Sequence, residues 1–260
     1  MPDGPLDLAN ARILVTNDDG IRAPGIETLE RIARSLSKDV WVVAPETEQS
    51  ATSHALTLRR PLRSRELGPR RFSVDGTPTD CMLVAHRHIL RDRAPDLVLS
   101  GINHGANLGE DVTYSGTVAA AMEAAILGVR AVAFSQMRPR EGRIDWSTAE
   151  HFAPMILRKL AEQTWPRDLL FNVNFPPLPP GEVHGVRPCA QGRRDEGTTI
   201  VEGADPSGRP YLWLGNFLSD ASSERGTDLA AIMDGAIGVT PLHMDLTHKA
   251  TLEKLAGLFE

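Results

Sequence analysis

Cysteine is scarce in this chain. Its two cysteines in 260 residues, Cys81 and Cys189, lie far apart with no C-x-x-C spacing, which removes both a disulfide framework and a thiolate zinc site. Both are expected to be buried thiols in a reducing compartment. Long basic runs are also missing, and the formal net charge is -6. That excludes a protein held on a nucleic acid duplex by phosphate neutralisation, while a local positive site for a small anion remains open. No apolar run reaches the length of a membrane span. The stretch Met1 to Asn10, with Pro2, Asp3, Pro5 and Asp7, lacks the basic and apolar regions of a secretory leader. A cytoplasmic protein without membrane contact is expected. There is no internal repeat and no low-complexity tract.

At 260 residues and 41% hydrophobic, the chain can bury the core of one large α/β domain. Runs rich in Val, Leu and Ile without polar alternation fall at Ile13 to Thr16, Val40 to Ala44, Leu97 to Ser100, Ala131 to Ser135 and Leu170 to Asn174, the pattern of strands covered on both faces. Between them, Gly25 to Ser37 carries Ile26, Leu29, Ile32, Ala33 and Leu36 at helical spacing, and Gly116 to Leu127 is an Ala-rich helix. The alternation predicts an α/β fold with a doubly wound, mainly parallel sheet. Leu56 to Arg60 and Arg71 to Val74, joined by the polar loop around Ser64 to Pro69, read as an antiparallel hairpin excursion. Past the proline-rich Phe175 to Gly181 the pattern changes to short strands at Val183 to Val186, Thr198 to Val201 and Tyr211 to Leu214. The expectation is a single domain over 1–260, with a core from about residue 11 to 180 and β-rich arms plus a docking helix, Ala250 to Phe259, beyond. Hairpins that cannot form their own core pack on another subunit, which predicts a homo-oligomer.

Three of these strands end in polar loops, where open α/β sheets place their chemistry. The first delivers Asn17-Asp18-Asp19-Gly20. Two adjacent carboxylates repel unless a cation, a shared proton or several N–H donors sit between them, although the same four residue types also make an ordinary turn. The second, Ser100 to Asp111, is dense in Gly and Asn, and Asn103 and Asn107 offer neutral oxygens or amide donors. The third, Pro45 to His54, supplies Ser50, Thr52 and Ser53, and by itself it is equally a solvated loop. Tyr114-Ser115-Gly116-Thr117 leads directly into the Ala-rich helix, so free backbone N–H groups and hydroxyls meet at a helix N-terminus. That arrangement suits a phosphate or an ordinary N-cap.

The strings Ile13 to Ile26, Val43-Ala44-Pro45, Ser100-Gly101-Ile102-Asn103, Tyr114 to Glu123 and Val239 to Leu242 resemble the stationary-phase survival protein SurE family of nucleotidases, in the same order and over nearly the whole chain. The resemblance implies a Rossmann-like fold, a homo-oligomer (dimer or tetramer) that exchanges C-terminal elements, and metal-dependent hydrolysis of nucleoside monophosphates at the 5′ position, with the 3′ position open as a second. Carried over by residue, it implies Asp18, Asp19, Ser50 and Asn103 as ligands of one divalent cation per subunit. An all-oxygen set with two charges suits Mg²⁺ or Mn²⁺. It also implies Asn107, Ser115, Gly116 and Thr117 as candidates for holding the phosphate. In the reaction expected from such a site, water attacks the metal-bound phosphate and Asp18 or Asp19 is the candidate catalytic base. Two positions depart from the pattern. Glu110 stands where relatives carry Asp, and Gln49 stands where a basic residue often precedes the ligand serine, which removes one positive group near the phosphate.

Rival readings remain. An aspartyl-phosphate phosphatase needs a nucleophilic carboxylate at the first position of D-x-D, and that position is Asn17. A nucleotide-binding regulatory module could use the same residues without turnover. His54 and His104 flank the loops but are not assigned to catalysis, and the remaining histidines read as surface or structural.

Overall fold

The computed structural model describes residues 4–166, 168–194, 198–217 and 224–259; Met1 to Asp3, part of the stretch read for a leader, lie outside them. In chain order the elements are β1 (Arg12–Thr16), α1 (Pro24–Leu36), β2 (Asp39–Pro45), β3 (Ser64–Gly68), β4 (Arg71–Val74), α2 (Pro78–Val84), β5 (Leu97–His104), α3 (Asp111–Tyr114), α4 (Gly116–Ile126), β6 (Arg130–Gln136), α5 (Ser147–Ala161) and β7 (Leu169–Phe175). The C-terminal third adds β8 (Val186–Pro188), β9 (Thr198–Ala204), β10 (Pro210–Phe217), α6 (Asp228–Met233), β11 (Ile237–His243) and α7 (Lys249–Leu255).

All five apolar runs form strands. Because no polar residue alternates through them, each is buried on both faces: Ile13 and Val15 pack with α1 and α5 on one side, and Leu14 with α2 and α4 on the other. Pro24, with no N–H to lose, opens α1, whose Ile26, Leu29, Ile32, Ala33 and Leu36 are buried. The alanines of α4 let it lie close to β5 and β6. A capping box closes the start of α2: Thr77 Oγ1 accepts from Asp80 N at 3.1 Å and Asp80 Oδ2 from Thr77 N at 2.9 Å, satisfying two donors a helix start leaves open.

The strands join in a nine-stranded sheet of order β3-β4-β2-β1-β5-β6-β7-β11-β8. Six of them, β4-β2-β1-β5-β6-β7, are parallel and run third, second, first, fourth, fifth, sixth in order of appearance, the doubly wound Rossmann arrangement. The strand order reverses between β1 and β5. Their register pairs Thr16 with Ser100, so the Asp18-Asp19 turn and Asn103 leave the sheet side by side.

Two expectations change. The partner of β4 is β3, Ser64–Gly68, which the sequence reading placed in a loop; Leu56 to Arg60 is not a strand. All of β3 is polar or glycine apart from Leu67 and it is largely exposed, so apolar periodicity carries no trace of it. The expected strand at Val183 to Val186 is instead β8, Val186–Pro188, preceded by a short 3-10 turn over Pro180–Glu182. The central sheet also continues past residue 180, because β11 pairs antiparallel with β7 and parallel with β8. The expected arms appear as a separate two-stranded hairpin, β9 with β10, and as α7, none of whose residues is buried. Both cysteines are buried free thiols. No helix of the described residues is long and apolar enough to cross a membrane.

Candidate metal and phosphate site at the switch point

A cavity of about 420 Å³ opens at the point where the strand order reverses, and Asp18, Asp19, Ser50, Asn103, Asn107 and Ser115 all line it. Its loops are tied to one another through the backbone. Gln49 N donates to Asp18 O at 2.8 Å, and Ser53 N donates to Tyr114 O at 3.1 Å. Ser53 Oγ adds a bond to Thr113 O at 2.7 Å. Ala51 and Ser53 both sit at positive φ, 55° and 52°, a conformation non-glycine residues hold only where surroundings enforce it.

The two carboxylates occupy different environments. Asp18 is buried, and both its oxygens accept from Thr117: Oδ2 from the backbone N at 3.1 Å and Oδ1 from the hydroxyl. Burial lifts its carboxyl to about 6; the Thr117 hydrogen bond works against this and the Asp19 charge adds to it. Asp19 is half-exposed, and its Oδ2 accepts from His104 N at 3.1 Å. Burial raises it as well, with the backbone bond from His104 pulling back. Its second oxygen accepts no hydrogen bond among the described residues.

Gly116 makes this clamp possible. A Cβ there would lie 2.9 Å from the Asp18 Cβ, closer than carbon atoms tolerate. Gly116 and Thr117 therefore serve Asp18, and neither lines the cavity. Ser115 caps α4, its hydroxyl accepting from Val118 N at 3.1 Å. Thr117 thus gives both its donors to Asp18, and Ser115 is the residue of this turn that lines the cavity.

Asn103 Nδ2 donates to Gly105 O at 2.9 Å, which leaves its oxygen as the uncommitted end. Ser50 is exposed and donates to Glu48 Oε1 at 2.6 Å. Asn107 is buried and fixed on three sides: its N donates to Asn174 Oδ1 at 2.8 Å, its Nδ2 to Ser135 Oγ at 2.8 Å, and its carbonyl accepts from Asn172 Nδ2 at 2.8 Å. Asn172 and Asn174 on β7 are buried polar residues whose task is this loop.

Two arginines complete the lining. Arg138 donates from Nε to His104 O at 3.0 Å and from Nη2 to His104 Nδ1 at 2.8 Å. A guanidinium only donates, so Nδ1 accepts and the ring proton sits on Nε2. Burial and the Arg138 charge lower the His104 pKa, keeping that ring neutral. Arg194 pairs with Asp111 at 2.8 Å. Sequence reasoning missed both arginines. Arg138 stands two residues past the end of β6, so the strand-end rule that found the other loops would have reached it. Arg194 has no such signal. The loop behind it is held by Asp228 on α6, whose carboxylate accepts from Gly109 N at 3.0 Å and Gly192 N at 2.8 Å.

Oxygen donors suit a hard divalent cation. Among the described residues no group of three or more His, Cys, Asp or Glu is gathered for a metal, which fits a set where only two of four donors are carboxylates. A cation is also what the electrostatics lack: Asp18, Asp19 and Asp111 face two arginines, one already paired with Asp111. Without added positive charge, a phosphate dianion would meet a site no better than neutral.

A doubly wound α/β protein with an oxygen-donor site at its switch point is the class defined by these features. The family model described as survival protein SurE matches residues 13–198, and the chain belongs to that family. It is 55% identical over 253 residues to 5′-nucleotidase SurE of Paramagnetospirillum magneticum, covering 97% of each chain. To 5′-nucleotidase SurE of Rhodospirillum rubrum it is 53% identical, covering 97% of this chain and 98% of the relative. Among solved structures, the SurE protein of Aquifex aeolicus superposes with a TM-score of 0.83 at 40% identity, over 95% of this chain and 99% of that one.

Proposed function

We propose that this chain is a divalent-metal-dependent phosphomonoester hydrolase that releases phosphate from nucleoside 5′-monophosphates. The observation that carries the reading is the convergence of Asp18, Asp19, Ser50 and Asn103 on one switch-point cavity, in a chain whose relatives bear the name 5′-nucleotidase. Those four residues would hold one Mg²⁺ or Mn²⁺. Such a cation supplies positive charge to the phosphoryl group and acidifies water.

The chain's own groups have distinct tasks. Asp19 keeps an oxygen free of hydrogen bonds, so it is assigned the proton of the attacking water. Asp18, with both oxygens on Thr117, is held in place as an anchor. Arg138 supplies the cationic charge that Gln49 does not, and Asn107 and Ser115 line the phosphate end. Donors fixed before the reaction need no reorganisation when charge shifts onto the phosphoryl oxygens.

Phosphate release from AMP and GMP with added Mn²⁺, against a chelator control, is the test. Binding without release would mark a regulatory module instead. The same panel with nucleoside 3′-monophosphates and polyphosphate defines the substrate range.

The assembly proposed is a homodimer or homotetramer built through the arms. Leu212, Trp213 and Leu214 on β10 are 66%, 66% and 79% exposed, and Leu258 and Phe259 follow α7 at 65% and 85%. Apolar surface of this extent is stable when another copy covers it. Sedimentation of the full chain as a monomer would overturn this.

A further inference from the structure

A second cavity, of about 520 Å³, shares His104 and Arg138 with the first. We propose that it is the nucleobase subsite, in which the base stacks on Trp146 and turns its acceptor edge to Arg143; this rests on the nucleotidase reading above.

Its chemistry differs from the first cavity's. Pro24, Pro139, Ile144 and Trp146 give it apolar walls, Arg143 adds a cation, and among the described residues no carboxylate lines it. Flat apolar surface with donors and no acidic group complements a heteroaromatic ring whose edge carries nitrogen and oxygen acceptors. Among the described residues, neither the indole N–H of Trp146 nor the guanidinium of Arg143 has a hydrogen-bond partner, so both donors are available.

Trp146 is also rigidly presented. It lies at the start of α5, where its carbonyl accepts from Glu150 N at 2.9 Å. The preceding Asp145 pins the turn by accepting from Ser147 N at 2.9 Å and Ser147 Oγ at 2.8 Å. Gly25 leaves space for the ring's edge: a Cβ there would stand 3.3 Å from Trp146 Cη2 and 2.0 Å from Ile102 O. The half-buried ring thus packs against the core, with its Cη2 edge at the start of α1, and also lines the cavity. With a phosphate held among Asp19, Asn103 and Arg138, the proposed pose lays the attached ribose over the shared His104-Arg138 wall and the base beyond it. The phenol ring of Tyr114 belongs to the first cavity.

Steady-state kinetics with AMP and with ribose 5-phosphate, under saturating Mn²⁺, tests the assignment. Trp146→Ala should raise KM for AMP about tenfold, the scale of one base-aromatic stack, with kcat little changed and ribose 5-phosphate turnover unaffected. Trp146→Phe, which keeps a stacking face and guards against a folding defect, should recover most of the loss. Arg143→Ala should raise KM for AMP without touching ribose 5-phosphate. Equal effects on both substrates, or a KM effect that appears in Tyr114→Ala and not in Trp146→Ala, would overturn the proposal. Calorimetric titration with adenosine separates the two readings: adenosine binding that is lost in Trp146→Ala supports the subsite even if no phosphate is released, whereas failure of turnover alone counts against the nucleotidase.

Discussion

The strands at the switch point and the β9-β10 hairpin draw on the same kinds of residue and meet opposite fates. In β1, β2 and β5 nearly every Val, Leu and Ile is buried between helices, whereas Ile200, Val201, Leu212, Trp213 and Leu214 are all more than half exposed. Burial in the body is what makes Asp18 chemically unusual, since a carboxyl at the end of a covered strand resists ionisation until something positive arrives. The arms carry no such chemistry; their apolar faces are unfinished within one chain. The same residue types thus do two jobs: in the body they bury the strand ends that carry the candidate site, and on the arms they stay exposed within one chain, the surface proposed above to meet a second copy.

Asp19→Asn should break the centre alone. We expect kcat on AMP to fall by about three orders of magnitude or more, with circular dichroism and melting temperature near those of the parent; near-normal turnover would remove Asp19 from the mechanism. The converse change, Trp213→Ser with Leu214→Ser, should shift the assembly toward smaller species in sedimentation. Each buried side chain of this size contributes about 2 kcal/mol to association, and kcat should stay within about threefold. A parallel collapse of kcat would mean that a second copy contributes to the site.

Acid sharpens the contrast further. The Asp18 carboxyl moves from 3.8 to about 6 on folding, so without metal its contribution to stability is fully present below about pH 4 and is lost as pH rises through 6. The difference is worth about 3 kcal/mol, and denaturant titrations at pH 4 and 7 should show that slope shrinking in Asp18→Asn. Metal binding has the opposite sign, because a cation needs the ionised form. Mn²⁺ affinity should fall about tenfold for each pH step below 6, and a flat profile would contradict the assignment of Asp18 as ligand. The smallest effect expected is that of Gly116→Ala, a loss of about 1–3 kcal/mol in stability together with weaker Mn²⁺ binding, as the new methyl displaces Asp18.

Much of the body was legible because fully covered parallel strands print continuous apolar runs, and Ile13 to Thr16 or Leu97 to Ser100 need no tertiary context to be seen. β3 was not, since a polar edge strand owes its existence to pairing with β4. Helix α5 carries Pro154 in its interior, a residue that interrupts helical patterns in sequence. The four expected metal ligands were legible as strand ends and through family resemblance, and they do share one cavity. What sequence could not supply was the allocation of hydrogen bonds: Thr117 reads equally as a phosphate donor or a carboxylate partner until Asp18, 99 residues away, is beside it. Arg194 depends likewise on a chain path with no local signature.

Asp228 has a consequence for the timing of synthesis. Its carboxylate joins the loop at Gly109 to the segment at Gly192, and the α6 that carries it precedes β11, the strand that sits between β7 and β8. A nascent chain that has emerged only as far as β10 already holds Asp18, Asp19, Ser50 and Asn103, yet the donors at Gly109 and Gly192 still await their acceptor. The loop at Gly109 therefore gains this anchor only once α6 has been made, after all four candidate ligands are already in the chain.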